Sequence, residues 1–465
     1  MAYTSRFDNF RRLLAYVSFG ICVLVLAAYL TIISRSYFFQ DDFEFWPYYS
    51  TLHLSELFNP AINFGRPITR DLYFFLTSHL LGADSSNYFY LNLVVIAGVC
   101  TLIYRTLREF DLDPWTAATA AMVYFYMTPT VPHASWISNS QHTIAHLFSF
   151  WFIFSTLRDI NAGHPRVLRS ALIYGLAMFS NVSSLFALVF VGLHVVLRHH
   201  RSPLNRFIPL VSGIALLAAC TLAWSLAISH SADVHYHLDL SLDHSIDYAR
   251  FYDELLREGM IGSWYRLLFA AILILTLWNW KRNYLLTIPL AGSMATAVGM
   301  LFFLGAQRTL GYLAIPYLML VLTLFSNFAG QVFRAEERRS WVLLTLTVCF
   351  IFYSVENGAP TRNNFMLSPY GAGIRDAQEA IKSVPIDKDT TFCFAPEKPS
   401  DQPGPAPFWI FLGRGNAFWL VDYGDNYKRR FFYYTDPHCA ASDTVRVTID
   451  QRSSMVRVTG VAMPK

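Results

Sequence analysis

Leu13 to Ile33 reads LLAYVSFGICVLVLAAYLTII, a run of 21 residues without a charge. Such a run meets the requirement of about 20 residues for a helix that crosses a bilayer. Arg6, Arg11 and Arg12 precede it, so the positive-inside rule predicts a cytoplasmic N-terminus. A cleaved secretory signal is the alternative, but its apolar region would hold about 7–15 residues before a small-residue cleavage site. We therefore predict an uncleaved first span.

The composition indicates that many more spans follow. Charged residues make up 15% of the 465-residue chain and hydrophobic residues 54%, whereas soluble domains carry about 25% charged residues. The basic residues are dispersed among the loops, so the net charge of +4 gives no reason to expect nucleic acid as a partner. The expected fold class is an all-α polytopic membrane protein.

Apolar runs and their basic flanks predict about eleven membrane spans. Residues 170–197 have arginine on both sides, which places both ends of this block on one side of the membrane, so it must turn round. The polar midpoint Ser180 to Ser184 is the expected turn between two short helices. After the first span, the other full spans are expected at 87–106, 114–129, 143–157, 209–228, 264–280, 285–304, 311–328 and 341–355.

The last hundred residues differ in character from the rest. Residues 445–449 and 456–461 alternate as strands do, and residues 373–384 have a helical period. We predict a transmembrane module over 1–356 and a small α/β domain over 357–465. An odd number of spans places this domain on the extracytoplasmic side.

Two of the six cysteines, Cys393 and Cys439, lie in the C-terminal segment. Disulfides form and persist in oxidising compartments outside the cytosol. If the external compartment is oxidising, these two cysteines are predicted to form a disulfide. The other four lie inside apolar runs and are interpreted as small buried hydrophobic residues.

Two adjacent carboxylates follow the first span, in the stretch YFFQDDFEFWPYY at 37–49. Carboxylates held close together tend to have separated pKa values, which suits one of them to act as a general base. A helix cap or a solvated loop is the alternative. Successive side chains point in different directions, so one of Asp41 and Asp42 is expected to be the base and the other to orient an arginine, a backbone group or a metal. Asp42 is the favoured base. The next segment, 51–65, is predicted to be a helix along the membrane surface.

Three arginines, Arg66, Arg70 and Arg308, are predicted at the same membrane surface, where basic residues are under-used. One interpretation is a side chain that snorkels to the interface. The other is a guanidinium fork for a phosphate, which arginine serves better than lysine. These arginines are therefore the candidate donor-phosphate ligands.

A second polar cluster faces the same side, in the loop PTVPHASWISNSQ at 129–141 and in His142 after it. Trp136 alone would be interpreted as an interfacial anchor. Taken with the carboxylates and arginines, this loop is expected to contact substrate. The candidate substrate-binding residues in it are His133, Trp136, Asn139 and Gln141.

Metal dependence stays open. The string His235, His237 and Asp239 has a spacing that suits a metal, but three such residues in an acidic loop are more often solvated. We therefore assign no metal ligands and expect no required cofactor, with a divalent metal as a possible addition.

Four motifs, in this order and on one predicted face, resemble the GT-C superfamily of integral-membrane glycosyltransferases, and most closely its protein O-mannosyltransferase-like branch. The resemblance covers roughly residues 10–330 and leaves the C-terminal domain unmatched. Relatives often carry a Lys-Glu pair in the turn between the two short helices, where this chain has Asn181-Val182. The motifs are the QDD at 40–42, Arg66-Pro67-Ile68, Pro132-His133-x-x-Trp136 and the string Arg308-Thr309-Leu310-Gly311-Tyr312-Leu313-x-x-Pro316.

The resemblance implies a sugar donor carried on a polyprenyl phosphate and transfer with inversion at the external face. The acceptor would be a glycan, a lipid or a protein, and the membrane would be the inner (plasma) membrane of a bacterium. An acidic residue of the first external loop would act as the base, and Tyr312 is added to the substrate-binding residues.

Two other functions share this architecture. A transporter or flippase for a lipid-linked glycan would use the same arginines to handle a phosphate, and a polymerase or ligase would join preassembled glycans. Transporter sites tend to place charges near the bilayer midplane and to show internal repeats. Here the charges cluster at one predicted surface and no repeat stands out, so a glycosyltransferase is favoured.

Overall fold

The structure is a computed structural model that is mostly helical, with a small sheet near the C-terminus. This agrees with the predicted helical module and C-terminal α/β domain in their broad form. Short pieces between 213 and 274 and at 354, 379 and 382 are described as well. The main described residues are 2–33, 38, 42–57, 66–164, 166–199, 283–303, 313–331, 345–352, 390–397, 431–440, 444–452 and 455–462.

The helices are numbered here in chain order. They are α1 (Ala2–Ile33), α2 (Asp42–Thr51), α3 (Tyr73–Leu81), α4 (Ser85–Arg108), α5 (Pro114–Tyr126), α6 (Val131–Ser135), α7 (Ser140–Asn161), α8 (Val167–Ser180), α9 (Leu185–His199), α10 (Tyr284–Phe303) and α11 (Ala314–Gln331). A π-helical segment, Pro67–Leu72, leads into α3. Single 3₁₀ turns lie at Leu54–Glu56, Thr128–Thr130, Ile137–Asn139, Val182–Ser184 and Pro437–Ala440.

Among the described residues, two helices are long and apolar enough to cross a membrane. They contain the candidate spans Asn9–Thr31 in α1 and Ser85–Arg108 in α4. Along α1 large apolar side chains are exposed, including Leu24 at 71%, as expected for a surface that meets lipid. Shorter apolar helices lie at Val167–Ser180, Val182–Arg198, Tyr284–Met300 and Ala314–Ser326.

The described residues cover some of the predicted spans and leave others mostly uncovered. Those at 87–106, 114–129, 143–157, 285–304 and 311–328 coincide with α4, α5, α7, α10 and α11, and residues 345–352 are helical within the span predicted at 341–355. Most of the spans predicted at 209–228 and 264–280 lies outside the described residues. The total of about eleven spans therefore stays a prediction.

The helix starts follow local capping chemistry. At α5, Asp113 Oδ1 accepts hydrogen bonds from the backbone N–H groups of Trp115 and Thr116, at 3.1 and 3.0 Å. Pro114 occupies the first helical position, where its missing N–H costs nothing. Asp84 caps α4 in the same way. These caps explain why both helices begin where they do.

The turn predicted at Ser180 to Ser184 is confirmed. Helix α8 ends at Ser180, one 3₁₀ turn follows, and α9 begins at Leu185. Both helices pack against α7, and α9 packs against α10. At Gly292 of α10 an added Cβ would lie 2.3 Å from Leu193 Cδ1, so glycine permits the close approach of α9 and α10.

The surface helix predicted at 51–65 is absent from 52–57, the part of that range that the structure describes beyond the end of a preceding helix. The helix in this region is α2, Asp42–Thr51, which contains the aromatic stretch itself. Residues 52–57 hold only a 3₁₀ turn, and 58–65 lie outside the described residues. The aromatic residues draw α2 onto the core: Phe45 and Tyr49 pack on Phe74 of α3, with ring centroids 5.2 and 6.1 Å apart.

The C-terminal sheet has four strands, β1 (Phe392–Pro396), β2 (Phe431–Tyr433), β3 (Val445–Arg452) and β4 (Met455–Ala462), in the order β2-β1-β3-β4. Strand β1 is parallel to β2 and β3, and β3 and β4 form an antiparallel pair. The two strands predicted from alternation lie within β3 and β4. Most of the helix predicted at 373–384 lies outside the described residues.

The predicted disulfide between Cys393 and Cys439 is confirmed. Cys393 lies in β1 and Cys439 in the 3₁₀ turn after β2, with their Cα atoms 5.6 Å apart. Both residues are buried. The bond ties the middle of the sheet to the segment that follows its edge strand.

Candidate functional site

Polar side chains from four chain segments meet at one end of the helix bundle. We call this the far end: α1, α5 and α8 finish there and α4 and α7 begin there, whereas the opposite end, where α1 starts, is the near end. The segments are the start of α2, the π-helical segment with Arg66, the turn that leads into α7, and the turn after α8. The residues of this far-end cluster are Asp42, Arg66, Thr69, Arg70, Asp71, Ser138, Asn139, Gln141, His142 and Asn181.

Asp42 is the most enclosed carboxylate of the cluster, with 0% of its surface exposed. Its Oδ1 accepts a hydrogen bond from the backbone N–H of Ser138 at 2.8 Å and a second from the Ser138 hydroxyl. Donors of this kind stabilise the negative charge of a carboxylate. Asp42 therefore orients a backbone group, one of the two roles predicted for the acidic pair. Asp41 lies outside the described residues.

Arg66 and Gln141, predicted separately as phosphate and substrate ligands, are in contact. Arg66 Nη1 donates to Gln141 Oε1 at 2.5 Å. Three residues on, Thr69 Oγ1 donates to the Ser180 carbonyl at 2.6 Å, which joins this segment to the end of α8. The segment Pro67–Leu72 is π-helical, a rare conformation that occurs often at functional sites.

Arg70 lies beside the aromatic face of α2. Its guanidinium carbon is 3.8 Å from the centroid of the Phe45 ring, a cation–π contact. The next residue, Asp71, is buried and accepts a hydrogen bond from the Tyr49 hydroxyl. Burial, together with the Asp71 charge and this hydrogen bond, raises the pKa of Tyr49, so the phenol stays protonated and remains a donor. Arg66 and Arg70 thus contact protein side chains, which a snorkelling arginine does not require.

The other residues predicted in the second loop are buried. His133 is 0% exposed and its Nδ1 is 3.1 Å from Thr143 Oγ1. Trp136 is 5% exposed, so it is enclosed by protein and is not an interfacial anchor. Asn139 is 4% exposed, and its Nδ2 has no hydrogen-bond partner among the described residues. A buried donor of this kind is a place where a ligand oxygen can bind.

Three histidines form a buried cluster behind the second loop. The His133 ring stacks on His146, with centroids 5.3 Å apart, and lies 5.6 Å from His142. His146 Nδ1 is 2.8 Å from the Tyr124 hydroxyl. Asn181, at the tip of the turn after α8, contacts His142. The cluster extends the site from the loop into the helix bundle.

Sequence reasoning placed His142 in the second polar cluster without giving it a binding role, and it left four residues out: Thr69, Asp71, Ser138 and Asn181. For two of these residues the available signal was a position beside predicted site residues. Asp71 directly follows Arg70, and Ser138 lies in the loop at 129–141. For Asn181 the signal was its position at a polar turn between apolar helices. None of these signals says which side chains meet.

Some predicted positions lie outside the described residues. Arg308 and Tyr312 are among them, as are His235, His237 and Asp239. Within the part of the chain that the structure describes, no three His, Cys, Asp or Glu side chains converge as a metal site.

A scan of protein-family models and a search of curated proteins found no match to the chain. The fold and the site together define a mostly helical protein with a small disulfide-bonded sheet and a polar cluster at one end of its helices. Two helices in the described part of the chain are suited to cross a membrane.

Proposed function

We propose that the protein is a GT-C-like membrane glycosyltransferase that moves a sugar from a polyprenyl-phosphate donor to an acceptor at the extracytoplasmic face, with inversion. The observation that supports it is the meeting of the acidic, arginine and amide segments in the far-end cluster. Asp42 contacts Ser138 and Arg66 contacts Gln141. A carboxylate and a guanidinium are thereby both fixed to the turn that leads into α7.

Arg66 and Arg70 are the proposed ligands of the donor phosphate, with Arg308 as a third. A guanidinium offers five donors in a fixed fork that matches phosphate oxygens. The Gln141 amide orients the Arg66 fork, and the Phe45 ring supports that of Arg70. Asn139, with its buried Nδ2 donor, is a proposed contact for a sugar or acceptor oxygen.

The acidic pair supplies the base in this proposal. The acceptor hydroxyl must lose its proton as it attacks the sugar, and the polyprenyl phosphate leaves with the bonding electron pair. Asp42 Oδ1 already accepts two hydrogen bonds from Ser138, which suits a carboxylate that holds the two loops together. Asp41 is then the other candidate for the proton acceptor, and single variants of the two residues separate the roles.

The proposed topology has about eleven spans, the N-terminus in the cytoplasm and the C-terminal domain outside. The disulfide in the sheet supports an oxidising compartment for that domain. A reporter fused after Lys465 that is active only in the cytoplasm should stay silent. An active reporter would contradict the topology. The far-end cluster and the sheet would then no longer be expected on the same side of the membrane.

The function is tested with purified protein, a panel of polyprenyl-phosphate sugars and a membrane extract as the source of acceptor. A glycosyltransferase should release polyprenyl phosphate and attach the sugar to a component of the extract. Asp113→Asn is the matched control for Asp42→Asn, because Asp113 lies at the near end, away from the far-end cluster. Movement of intact lipid-linked sugar across vesicles without release of polyprenyl phosphate would support a flippase instead, and transfer only of preassembled glycans would support a polymerase or ligase.

A further inference from the structure

The turn after α8 brings an amide against an imidazole in the far-end cluster. Asn181 is 2% exposed and His142 is 2% exposed. The Asn181 amide nitrogen Nδ2 lies 3.2 Å from His142 Nδ1. Both residues are therefore enclosed by protein, where a hydrogen bond decides the protonation of an imidazole more firmly than it does in water.

The orientation of the Asn181 amide follows from a second contact. Its Oδ1 accepts a hydrogen bond from the backbone N–H of Ser183 at 3.0 Å, as the cap of the 3₁₀ turn. An oxygen is required at this position because a backbone N–H can only donate. The NH₂ group of the amide consequently faces His142.

This orientation fixes the tautomer of His142. An amide NH₂ has donors and no acceptor, so His142 Nδ1 must be the acceptor and cannot carry a proton. The ring proton is then on Nε2, and the second proton that would make the imidazole cationic has no place at Nδ1. His142 is held as a neutral Nε2–H donor.

The tautomer of His142 matters for the site because His142 lies close to Arg66. Among the described groups, the titratable and charged ones that act electrostatically on His142 are His133, Arg66 and His146. Arg66 is the proposed phosphate ligand and contacts Gln141, which directly precedes His142 in the chain. The bond from Thr69 to the Ser180 carbonyl fixes Asn181 to the same segment as Arg66.

We propose that Asn181 is a positioning residue of the donor site, which selects the Nε2–H tautomer of the buried His142 and so presents a hydrogen-bond donor at Nε2 beside Arg66. This inference rests on the proposed function for its substrate, whereas the tautomer follows from the described contacts. The ligand class is a phosphodiester or phosphate monoester that is bound with the same affinity over the range in which an ordinary histidine titrates.

Two substitutions at Asn181 test the tautomer. Asn181→Asp keeps an oxygen for the Ser183 N–H but turns the donor that faces His142 into an acceptor, so a proton should move to Nδ1. Asn181→Leu is similar in size and removes both hydrogen bonds, so nothing from Asn181 selects the tautomer, while burial still holds the pKa of His142 below its usual value. Asn87→Asp, at an exposed position near the start of α4, controls for the added carboxylate.

The direct readout is ¹⁵N NMR of histidine-labelled full-length protein, with the His142 signal assigned from a His142→Gln sample. In the wild type, Nδ1 should be unprotonated from about pH 5.5 to about pH 8. In Asn181→Asp, Nδ1 should be protonated at neutral pH, and in Asn181→Leu the signal should show a mixture of the two neutral tautomers. A wild-type Nδ1 that carries a proton, or a signal that neither variant changes, would overturn the inference.

The second readout is the KM for a polyprenyl-phosphate sugar as a function of pH. The wild-type KM should show no step from His142, whereas in Asn181→Asp it should be about tenfold higher, because a carboxylate then lies near Arg66 and Nε2 of His142 is no longer a donor. A changed His142 signal with an unchanged donor KM at every pH would overturn the positioning role. If the wild type uses no such donor, the proposed function fails, and the NMR result still decides the tautomer.

Discussion

The two ends of the helix bundle hold their polar groups in different ways. At the near end, Arg11 lies 3.5 Å from Asp113, which also caps α5. Arg169 and Asp159 form an ion pair across the short turn between α7 and α8. At the far end, by contrast, Asp42 is 0% exposed, and its Oδ1 accepts two hydrogen bonds from Ser138 in the loop before α7.

The contrast separates groups that shape the fold from groups that are held in place by it. A helix cap stabilises the first turn of its own helix, so Asp113 has a sufficient structural role. At the far end three contacts between different segments meet in one place: Asp42 with Ser138, Arg66 with Gln141, and Asn181 with His142. Burying polar groups costs free energy unless they are paired. A protein that buries so many of them at one end is expected to use them there.

The largest effect should come from the acidic pair. Asp41→Asn and Asp42→Asn each keep the shape of the side chain and remove its basicity, and loss of a general base typically lowers turnover by about 10²–10⁴-fold. In Asp42→Asn the amide oxygen can still accept both Ser138 hydrogen bonds, so folding should survive. The measurement is sugar transfer at saturating donor.

The same assay on Asp113→Asn provides the near-end control, which should retain wild-type turnover. The two far-end variants should differ, with the base losing turnover and the partner losing less turnover or losing binding. Near wild-type rates in both would mean that the pair is only a polar loop, and the flippase function would then be the better explanation.

A large effect on stability is expected from the disulfide. Replacing Cys393 or Cys439 by serine opens a loop of 46 residues, which should destabilise the C-terminal sheet by about 4 kcal/mol on the chain-entropy estimate. Cys349→Ser, at a free cysteine in the helical part, should change little. Limited proteolysis of the full-length protein in increasing denaturant measures the difference. Two reactive thiols at these positions in unreduced wild-type protein would contradict the disulfide.

A smaller effect should follow from Arg66→Lys, which keeps the charge but loses the fork and its Gln141 contact. Hydrogen bonds to charged groups contribute about 1.5–3 kcal/mol, so donor affinity should fall by about 10- to 100-fold. Arg308→Lys should lower donor affinity by a similar factor. Arg198→Lys is the matched control, because Arg198 at the near end also donates to a side-chain amide oxygen, that of Asn161. Unchanged affinity in the Arg66 and Arg308 variants would leave the snorkelling explanation standing.

The smallest effect tests the near end itself. Asp113→Ala removes the cap of α5 and should cost about 1 kcal/mol more than Asp113→Asn, since asparagine caps a helix nearly as well as aspartate. Because the two variants remove the same charge near Arg11, their difference isolates the cap. Thermal unfolding of both variants measures it. A loss of sugar transfer in Asp113→Asn would show that the two ends are coupled and would weaken the contrast between them.

Much of the helical framework was predictable from patterns that act locally. The charge-free run at 13–33 lies within α1, and the polar residues 180–184 mark the turn between α8 and α9. Alternation located β3 and β4, and compartment chemistry paired Cys393 with Cys439. Such features depend on nearby residues or on the solvent each segment meets, so a single sequence carries them.

Helix α2 and the buried Trp136 show where this reasoning stops. The sequence patterns predicted no helix over 42–51, yet Phe45 and Tyr49 pack on Phe74 and the segment is helical. Trp136 has an amphipathic ring that suits an interface, but the surrounding protein covers it. In both cases burial against other elements outweighed the local preference.

By itself the sequence determined the helical class, the helix starts at capped positions, the turn after α8 and the chemical types available for a site. Only the tertiary structure decided that Asp42 meets Ser138, that Arg66 meets Gln141 and that the Asn181 amide faces His142. The physical reason is that each of these contacts joins segments 39 to 96 residues apart. Which polar groups meet at that range depends on how the helices pack, and periodicity along one helix carries no information about its neighbours.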